Sequence, residues 1–357
     1  MLQRNLRWFA CSTHYADVPA CNRLVGEGAN PWRSARTAAG FFFGAVRLEQ
    51  CVRPAIWEQA ELFAAQLRNT PIQAPGVPRA VFLVSPESFF LAAESALDNA
   101  YMQMAQAVDG ARAAEQHRQL ALALAAAGVP VMSFPGSADT PDAVFPNNVY
   151  ATAPGRLIVG AMRHPVRQRE ARRQDIRDWF RTVLGYAEID LSTRLLVAEL
   201  TGSLVIDRAR RIGFCGLSER CDRAGAAAMA AAFDLRHTLV FDLADGEYHS
   251  NVVMSALAGR GVLLCPDGFA DPAVAEAIAG AYGDDAILID ADEKAAFVGN
   301  CIALGERGLW MSAAAEAALR PTTRSALTRL GFQIHSVGLD ELEKAGGSLR
   351  CMIGEIY

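Results

Sequence analysis

The sequence predicts an α/β protein built from repeated modules of one helix and several short strands. Three observations carry this. Short Val-, Ile- and Leu-rich runs alternate with Ala- and Leu-rich helical stretches from residue 79 onward. The alternation recurs at intervals of roughly 40–60 residues, the signature of a structural repeat. Across 357 residues, 52% are hydrophobic and only 20% charged, enough apolar side chain for a substantial core.

The elements follow in order. Residues 1–75 hold Cys11, Cys21, Cys51, Trp8, Trp32 and Trp57 with little periodicity, and the Pro-rich TPIQAPGVP of residues 70–78 resembles a linker. AVFLV, Ala80–Val84, is a buried-strand run. Residues 99–127 predict one long helix, stopped by Gly128 and Pro130. Residues 130–134 and 156–160 are strand-like. A helix at 168–184 then precedes strands at 187–191, 204–206 and 212–214. A helix at 223–233 precedes strands at 238–241, 252–257 and 261–264. Helix Pro272–Tyr282 precedes strands at 286–289 and 301–304, and a helix at 313–330 precedes strands at 332–336 and 352–357. The C-terminal strand and Ala80–Val84 are candidates to share one module, closing the array.

Composition excludes several classes. A net charge of −5 offers no general attraction to a phosphate backbone, so nucleic acid is not an expected partner. The eight cysteines lack CxxC spacing and are too sparse for a disulfide framework. The N-terminus has no continuous apolar stretch of signal-peptide length, and the Ala-rich stretches at 120–127 and 224–233 are far shorter than a bilayer span. The expectation is a cytoplasmic protein with reduced thiols and no membrane association.

Several residues could carry chemistry. His249, in DGEYHSNVVMS, follows an acidic turn at the mouth of a strand, where a lone His is structural more often than catalytic. Cys351, in AGGSLRCMIGEIY, follows a Gly-Gly turn at a strand start. It is either a small buried hydrophobe or a thiolate nucleophile. Glu199, in VAELTGSLVID, sits where a turn delivers side chains to a cavity, and taken alone resembles a solvated loop charge. Asn147 and Asn148, after Phe145 and Pro146, mark a turn. Cys301, in VGNCIALG, has apolar neighbours and reads as core. Asn-Asn, Glu, His and Cys thus occur in this order at the openings of successive modules, each beside a Gly or Pro turn.

That ordered set resembles the guanidino-group-modifying (pentein, or amidinotransferase) superfamily, and within it the arginine-deiminase-related, citrulline-utilisation hydrolase branch. The pieces are PDAVFPNNVY (141–150), RHPVRQREARR (163–173), ELTGSLVIDR (199–208), YHSNVVMS (248–255), VGNCIALG (298–305) and GGSLRCMIGEIY (346–357). The resemblance implies a five-bladed αβ-propeller as the catalytic domain, 76–357, with 1–75 as an N-terminal extension, disordered or an artefact of the gene model.

It also implies a cysteine-dependent hydrolase of a C–N bond. Cys351 would be the nucleophile, His249 the general acid/base and Glu199 the carboxylate that orients substrate nitrogens, with a thiouronium-type adduct between them. Phe145, Asn147, Asn148 and Asn251 would bind substrate. No metal and no cofactor are expected. The partner is a small guanidino or ureido amino acid, and a homodimer is conceivable.

Two departures bear on substrate. Arginine deiminases have Asp at the positions of Asn148 and Asn251, and two amides suit a neutral ureido group better than a cation. Leu200 also stands where relatives commonly have Gly. The expected reaction is therefore hydrolysis of citrulline or an arginine derivative. The alternatives are an arginine-type deiminase or amidinotransferase, or a non-catalytic pentein-fold binding protein.

Overall fold

The computed structural model describes residues 54–357. They form sixteen strands: β1 (Ala55–Trp57), β2 (Ala80–Val84), β3 (Val131–Phe134), β4 (Tyr150–Ala153), β5 (Arg156–Val159), β6 (Ala187–Asp190), β7 (Leu204–Asp207), β8 (Ile212–Leu217), β9 (His237–Asp242), β10 (Met254–Ala256), β11 (Val262–Leu264), β12 (Ala286–Leu288), β13 (Ile302–Leu304), β14 (Gly308–Ser312), β15 (Gln333–Val337) and β16 (Gly354–Ile356).

They divide among five separate sheets with one pattern. In each, the first strand pairs antiparallel with the second, which pairs parallel with the third: β4-β5-β6, β7-β8-β9, β10-β11-β12, β13-β14-β15 and β16-β2-β3. Chain chemistry accounts for the pattern. An antiparallel pair needs only a tight turn, and Gly155 and Gly305 take the positive φ such turns demand. A parallel pair needs a crossover, and here helices supply it, including Gly110–Ala126, Arg223–Ala232 and Pro272–Tyr282. The C-terminal β16 pairs with β2, so the two ends of the repeat share a sheet, as the sequence suggested.

Three expectations change. The helix expected over 99–127 starts only at Gly110, where Asp109 accepts the Arg112 amide at 3.0 Å. Residues before it are held in a loop by long-range bonds, Asp98 to Arg220 and Asn99 to the Ala345 carbonyl. The helix expected over 313–330 breaks into Ala313–Ala318 and Pro321–Arg329, because Pro321 drives Arg320 to extended backbone (ψ 150°). The helix expected over 168–184 likewise divides into Pro165–Glu170 and Gln174–Thr182. There the Tyr150 hydroxyl and Arg177 take the Glu170 and Ala171 carbonyls at 2.6 and 2.9 Å.

The boundary at residue 75 also moves. β1 extends the second sheet by pairing parallel with β9, and the helix Ala60–Asn69 buries Ala60, Phe63 and Leu67 against Phe214 and Ile278. Residues 54–75 therefore pack on the fold rather than outside it; residues 1–53 lie outside the described residues. Among the described residues no helix is long and apolar enough to cross a membrane.

Candidate active site

Each module enters its first strand through a tight turn, and the turns carry the polar residues. Pro146–Asn148 precedes β4, Leu200–Ser203 precedes β7, Ser250–Val253 precedes β10, and Leu349–Met352 precedes β16. Before β13 the same closure is made by the Asn300 amide on the Phe297 carbonyl at 2.9 Å. Four of these turns also pack on one another, 200–203 against 146–148 and 250–253, and 349–352 against 146–148. Residues distant in sequence meet for this reason. Cys351 and His249 thus occupy helical turns and their caps rather than strand starts.

Glu199 and His249 form the centre. His249 Nε2 lies 2.9 Å from Glu199 Oε2, and Arg220 Nη1 donates to the same oxygen at 3.2 Å. Burial alone would raise the Glu199 carboxyl, but Arg220 and His249 outweigh it and hold it well below the usual carboxylate range. An ionised Glu199 can only accept, so Nε2 carries the imidazole proton and Nδ1 is left as a lone pair with no protein partner. Burial, only partly opposed by Glu199, also lowers the His249 pKa, so the ring is neutral. Gly202 lies against this ring: a Cβ there would come within 2.7 Å of its Cε1.

Cys351 is fully enclosed. Asn300 Nδ2 donates to its sulfur at 3.3 Å and Asn251 Nδ2 at 3.6 Å, and the thiol donates to the Asn251 Oδ1 at 3.8 Å. Burial pushes the thiol pKa up, opposed by Asn300 and by the Arg350 charge. The Arg350 side chain itself turns away, donating to Glu355 at 2.8 Å.

A narrow cavity opens beside Cys351, lined by Asp142, Phe145, Asn148, Arg167, Arg220 and Tyr248 among others. Arg167 donates to the Asn148 Oδ1 and to the Phe145 carbonyl, both at 3.0 Å, and is paired bidentately with Glu170. Arg220 is anchored at 2.7 Å on Asp98, which also sits 2.8 Å from His164. Burial raises the Asp142 pKa, with Arg167 opposing, and Ser95 donates to that carboxyl at 2.5 Å.

Of the residues the sequence singled out, Cys351, Phe145 and Asn148 line this cavity, Asn251 meets the sulfur, and Glu199 with His249 joins the cavity wall through Arg220. Asn147 turns elsewhere. Its Nδ2 meets Thr201 Oγ1 at 3.3 Å, tying the first turn to the second. Cys301 is core, its thiol pushed up to about 11 by burial. Leu200 adopts φ +24°, at the margin of the region glycine enters freely, and is fully buried among Ala161, Ala198 and Leu204. Among the described residues no cluster of His, Cys, Asp and Glu could hold a metal, and all five described cysteines are free.

Sequence reasoning passed over Arg167, Arg220, Asp98 and Asn300. Arg167 lies inside the basic RHPVRQREARR segment, and Asn300 stands at the opening of the fourth module, beside the cysteine that drew attention. The repeat was the available signal. Four openings carry a polar candidate, and the same pattern calls for one at the fourth module's opening, where Asn300 stands.

Residues 85–357 match the family described as N,N dimethylarginine dimethylhydrolase, eukaryotic. The chain belongs to this family. Its fold is the pentein-type α/β fold of guanidino-modifying enzymes. The N-terminal domain of ArgZ, an arginine dihydrolase from cyanobacteria, superposes with a TM-score of 0.67 at 20% identity, covering 78% of this chain and 97% of that one. AgrE in complex with ornithine and NAD+ gives a TM-score of 0.68 at 22% identity, but this chain spans only 39% of it. A dimethylarginine dimethylaminohydrolase gives 0.59 at 18% identity over its full length. An uncharacterised protein of Bacillus subtilis, YkgA, is 24% identical over 242 residues, 66% of this chain and 77% of that protein. ArgZ and the dimethylaminohydrolase are, by their descriptions, hydrolases of guanidino compounds.

Proposed function

We propose that this chain is a cysteine-dependent hydrolase of guanidino or ureido amino acids, taking arginine or citrulline to ornithine, with the five sheets arranged as blades around the site. The observation that carries this reading is the setting of Cys351. The described partners of this thiol are neutral amides, Asn251 and Asn300, while the Glu199 carboxylate is engaged by Arg220 and His249. Neutral amides both donate and accept, which suits a ureido carbonyl and its NH₂ group. Arg167 and Arg220 stand in the cavity wall, each held by carboxylates, Glu170 for one and Asp98 with Glu199 for the other.

The chemistry follows from the protonation states. The thiol passes its proton to a base, the role assigned here to His249 through its unpartnered Nδ1, and the thiolate attacks the guanidinium carbon. The C–N bond breaks as imidazolium protonates the departing ammonia, leaving a thiouronium on Cys351. Water, deprotonated by the neutral imidazole, adds to that carbon and the C–S bond breaks, giving the ureido product. A second round on the ureido carbon forms an S-carbamoyl adduct and releases a second ammonia. Hydrolysis of that adduct yields a carbamate, which loses carbon dioxide to give ornithine. Glu199 holds the imidazole and stabilises it when charged.

The family match favours a second reading, in which a methylated arginine is cleaved once to citrulline and an alkylamine. Product analysis separates the two. The purified chain and Cys351→Ser are incubated with arginine, citrulline and dimethylarginine, and ammonia, alkylamine, citrulline and ornithine are measured. The first reading expects ornithine from citrulline and none from the serine variant. Citrulline accumulating without ornithine sinks it.

A further inference from the structure

We propose that Asn300 is a further catalytic residue, whose carboxamide N–H acts with that of Asn251 to solvate the Cys351 sulfur as it becomes a thiolate. This rests on Cys351 being the nucleophile, and it deepens the reading above by naming what replaces a preformed cysteine–histidine ion pair.

The geometry is specific. Asn300 is fully buried, and its Nδ2 donates both to the Asn251 main-chain carbonyl at 2.8 Å and to the Cys351 sulfur at 3.3 Å. A carbonyl oxygen only accepts, so the bond to Asn251 determines which end of the amide faces the sulfur. The turn is placed by contacts on both sides. Gly299 lies so close to the third module that a Cβ would be 2.3 Å from the Val252 carbonyl oxygen. The Asn300 carbonyl in turn accepts the Arg350 amide at 3.4 Å, beside the nucleophile.

A packing role does not account for the amide. Its Oδ1 is buried with no partner, a penalty that an apolar side chain of similar size would avoid. A neutral thiol is a weak acceptor and has little use for two converging N–H donors. A thiolate has much, since hydrogen bonds to a charged acceptor are roughly twice as strong as those to a neutral one. The pair therefore lowers the energy of the state that attacks more than that of the resting thiol. The direction agrees with the Asn300 contribution to the thiol, which counteracts the upward push of burial.

The position fits the repeat. Asn148, Glu199, His249 with Asn251, and Cys351 come from the openings of four modules, and Asn300 comes from the opening of the remaining one, before β13. Every module thus delivers a polar group to the same centre.

The test is alkylation of Cys351 by iodoacetamide in the full chain from pH 6 to 10, followed by mass spectrometry of the Cys351 peptide. It is applied to wild type, Asn300→Asp and Asn300→Ala. Asp keeps the shape but replaces the donor by a charge, so Asn300→Ala reads the loss of the donor alone. The wild-type profile should move to higher pH in both variants, with the alkylation rate at pH 7 falling about tenfold, the equivalent of one unit in thiol pKa. Turnover by the variants should show the loss in kcat more than in KM. Asp142, Arg167, Arg220, Tyr248 and Arg350, the ionisable groups around the thiol, are common to all three proteins and shift the profiles alike. If Asn300→Asp does not fold, Asn300→Ala decides. Superimposable profiles overturn the proposal and leave Asn300 a brace for its turn. Because alkylation needs no substrate, a wild type that alkylates but releases no ammonia counts against the hydrolase reading instead.

Discussion

Glu199 Oε2 lies 2.9 Å from His249 Nε2, and both residues immediately precede tight helical turns of neighbouring modules. The pair has no contact with solvent, and its charge is balanced by Arg220. Glu199→Gln would keep the shape while removing the charge. It should lower kcat by about 10²–10⁴-fold, the usual scale for disabling an acid/base group. Stability should fall by about 1–3 kcal/mol, because Arg220 keeps Asp98 but loses the buried Glu199 charge. Steady-state kinetics and urea unfolding read the two losses separately; a kcat within about threefold of wild type would remove Glu199 from the mechanism.

Asn148 presents its Oδ1 to Arg167 at 3.0 Å, so an Asp there keeps that bond and adds a charge facing the cavity. Asn148→Asp should raise kcat/KM for arginine relative to citrulline by about fivefold, from roughly 1 kcal/mol of extra charged hydrogen bonding. Asn251→Asp is different, since its carboxylate would meet the Cys351 sulfur and oppose the thiolate. It should slow both substrates. An unchanged substrate ratio in Asn148→Asp would leave Asn148 as a support for Arg167 only.

Burial places the Cys351 pKa above the ordinary thiol value of 9.0 and the His249 pKa below the ordinary histidine value of 6.5. Alkylation of Cys351 should therefore climb about tenfold per pH unit through pH 9 without a plateau. Stability follows the same shifts with opposite windows. The neutral thiol contributes stability below the unfolded thiol pKa, and this is lost as pH rises through the folded value. Neutral His249 contributes stability above 6.5, lost as pH falls through its depressed value. Urea midpoints for wild type and Cys351→Ser from pH 7 to 10 should converge or cross at the alkaline end. Parallel curves would show that Cys351 has the same pKa folded and unfolded.

Residues 54–75 should matter for stability. A chain starting at residue 76 loses β1 and the buried Phe63 and Leu67, each contributing about 1.5–3 kcal/mol through burial. Its urea midpoint should be clearly below that of a chain starting at Pro54, whose packing on β9 is intact. Equal midpoints would show that the helix Ala60–Asn69 rests on the fold without stabilising it.

The repeat itself was legible. Alternation of apolar and polar residues marked most strands and helices, and the pairing of β16 with β2 was visible as an array whose ends matched. Local breaks were not. Residues 95–109 have helix-like composition, but Asp98 and Asn99 are held in a loop by Arg220 and Ala345, more than a hundred residues away. β14 went unread because Gly308–Ser312 is a short run beside a turn, with no pattern distinguishing it from its neighbours.

By itself, the sequence determined the α/β class, the order of the modules and the residue types at their openings. Burial and turn preference act over a few residues, so they are written locally as periodicity, Gly and Pro. Tertiary structure alone decided how those residues act. It set Arg220 between Asp98 and Glu199, turned Asn147 toward Thr201 while leaving Asn148 at the cavity, and aimed two amides at one sulfur. Ionisation and hydrogen bonding depend on partners within a few ångströms in space. Here those partners come from five different modules, and no local pattern in the chain records their meeting.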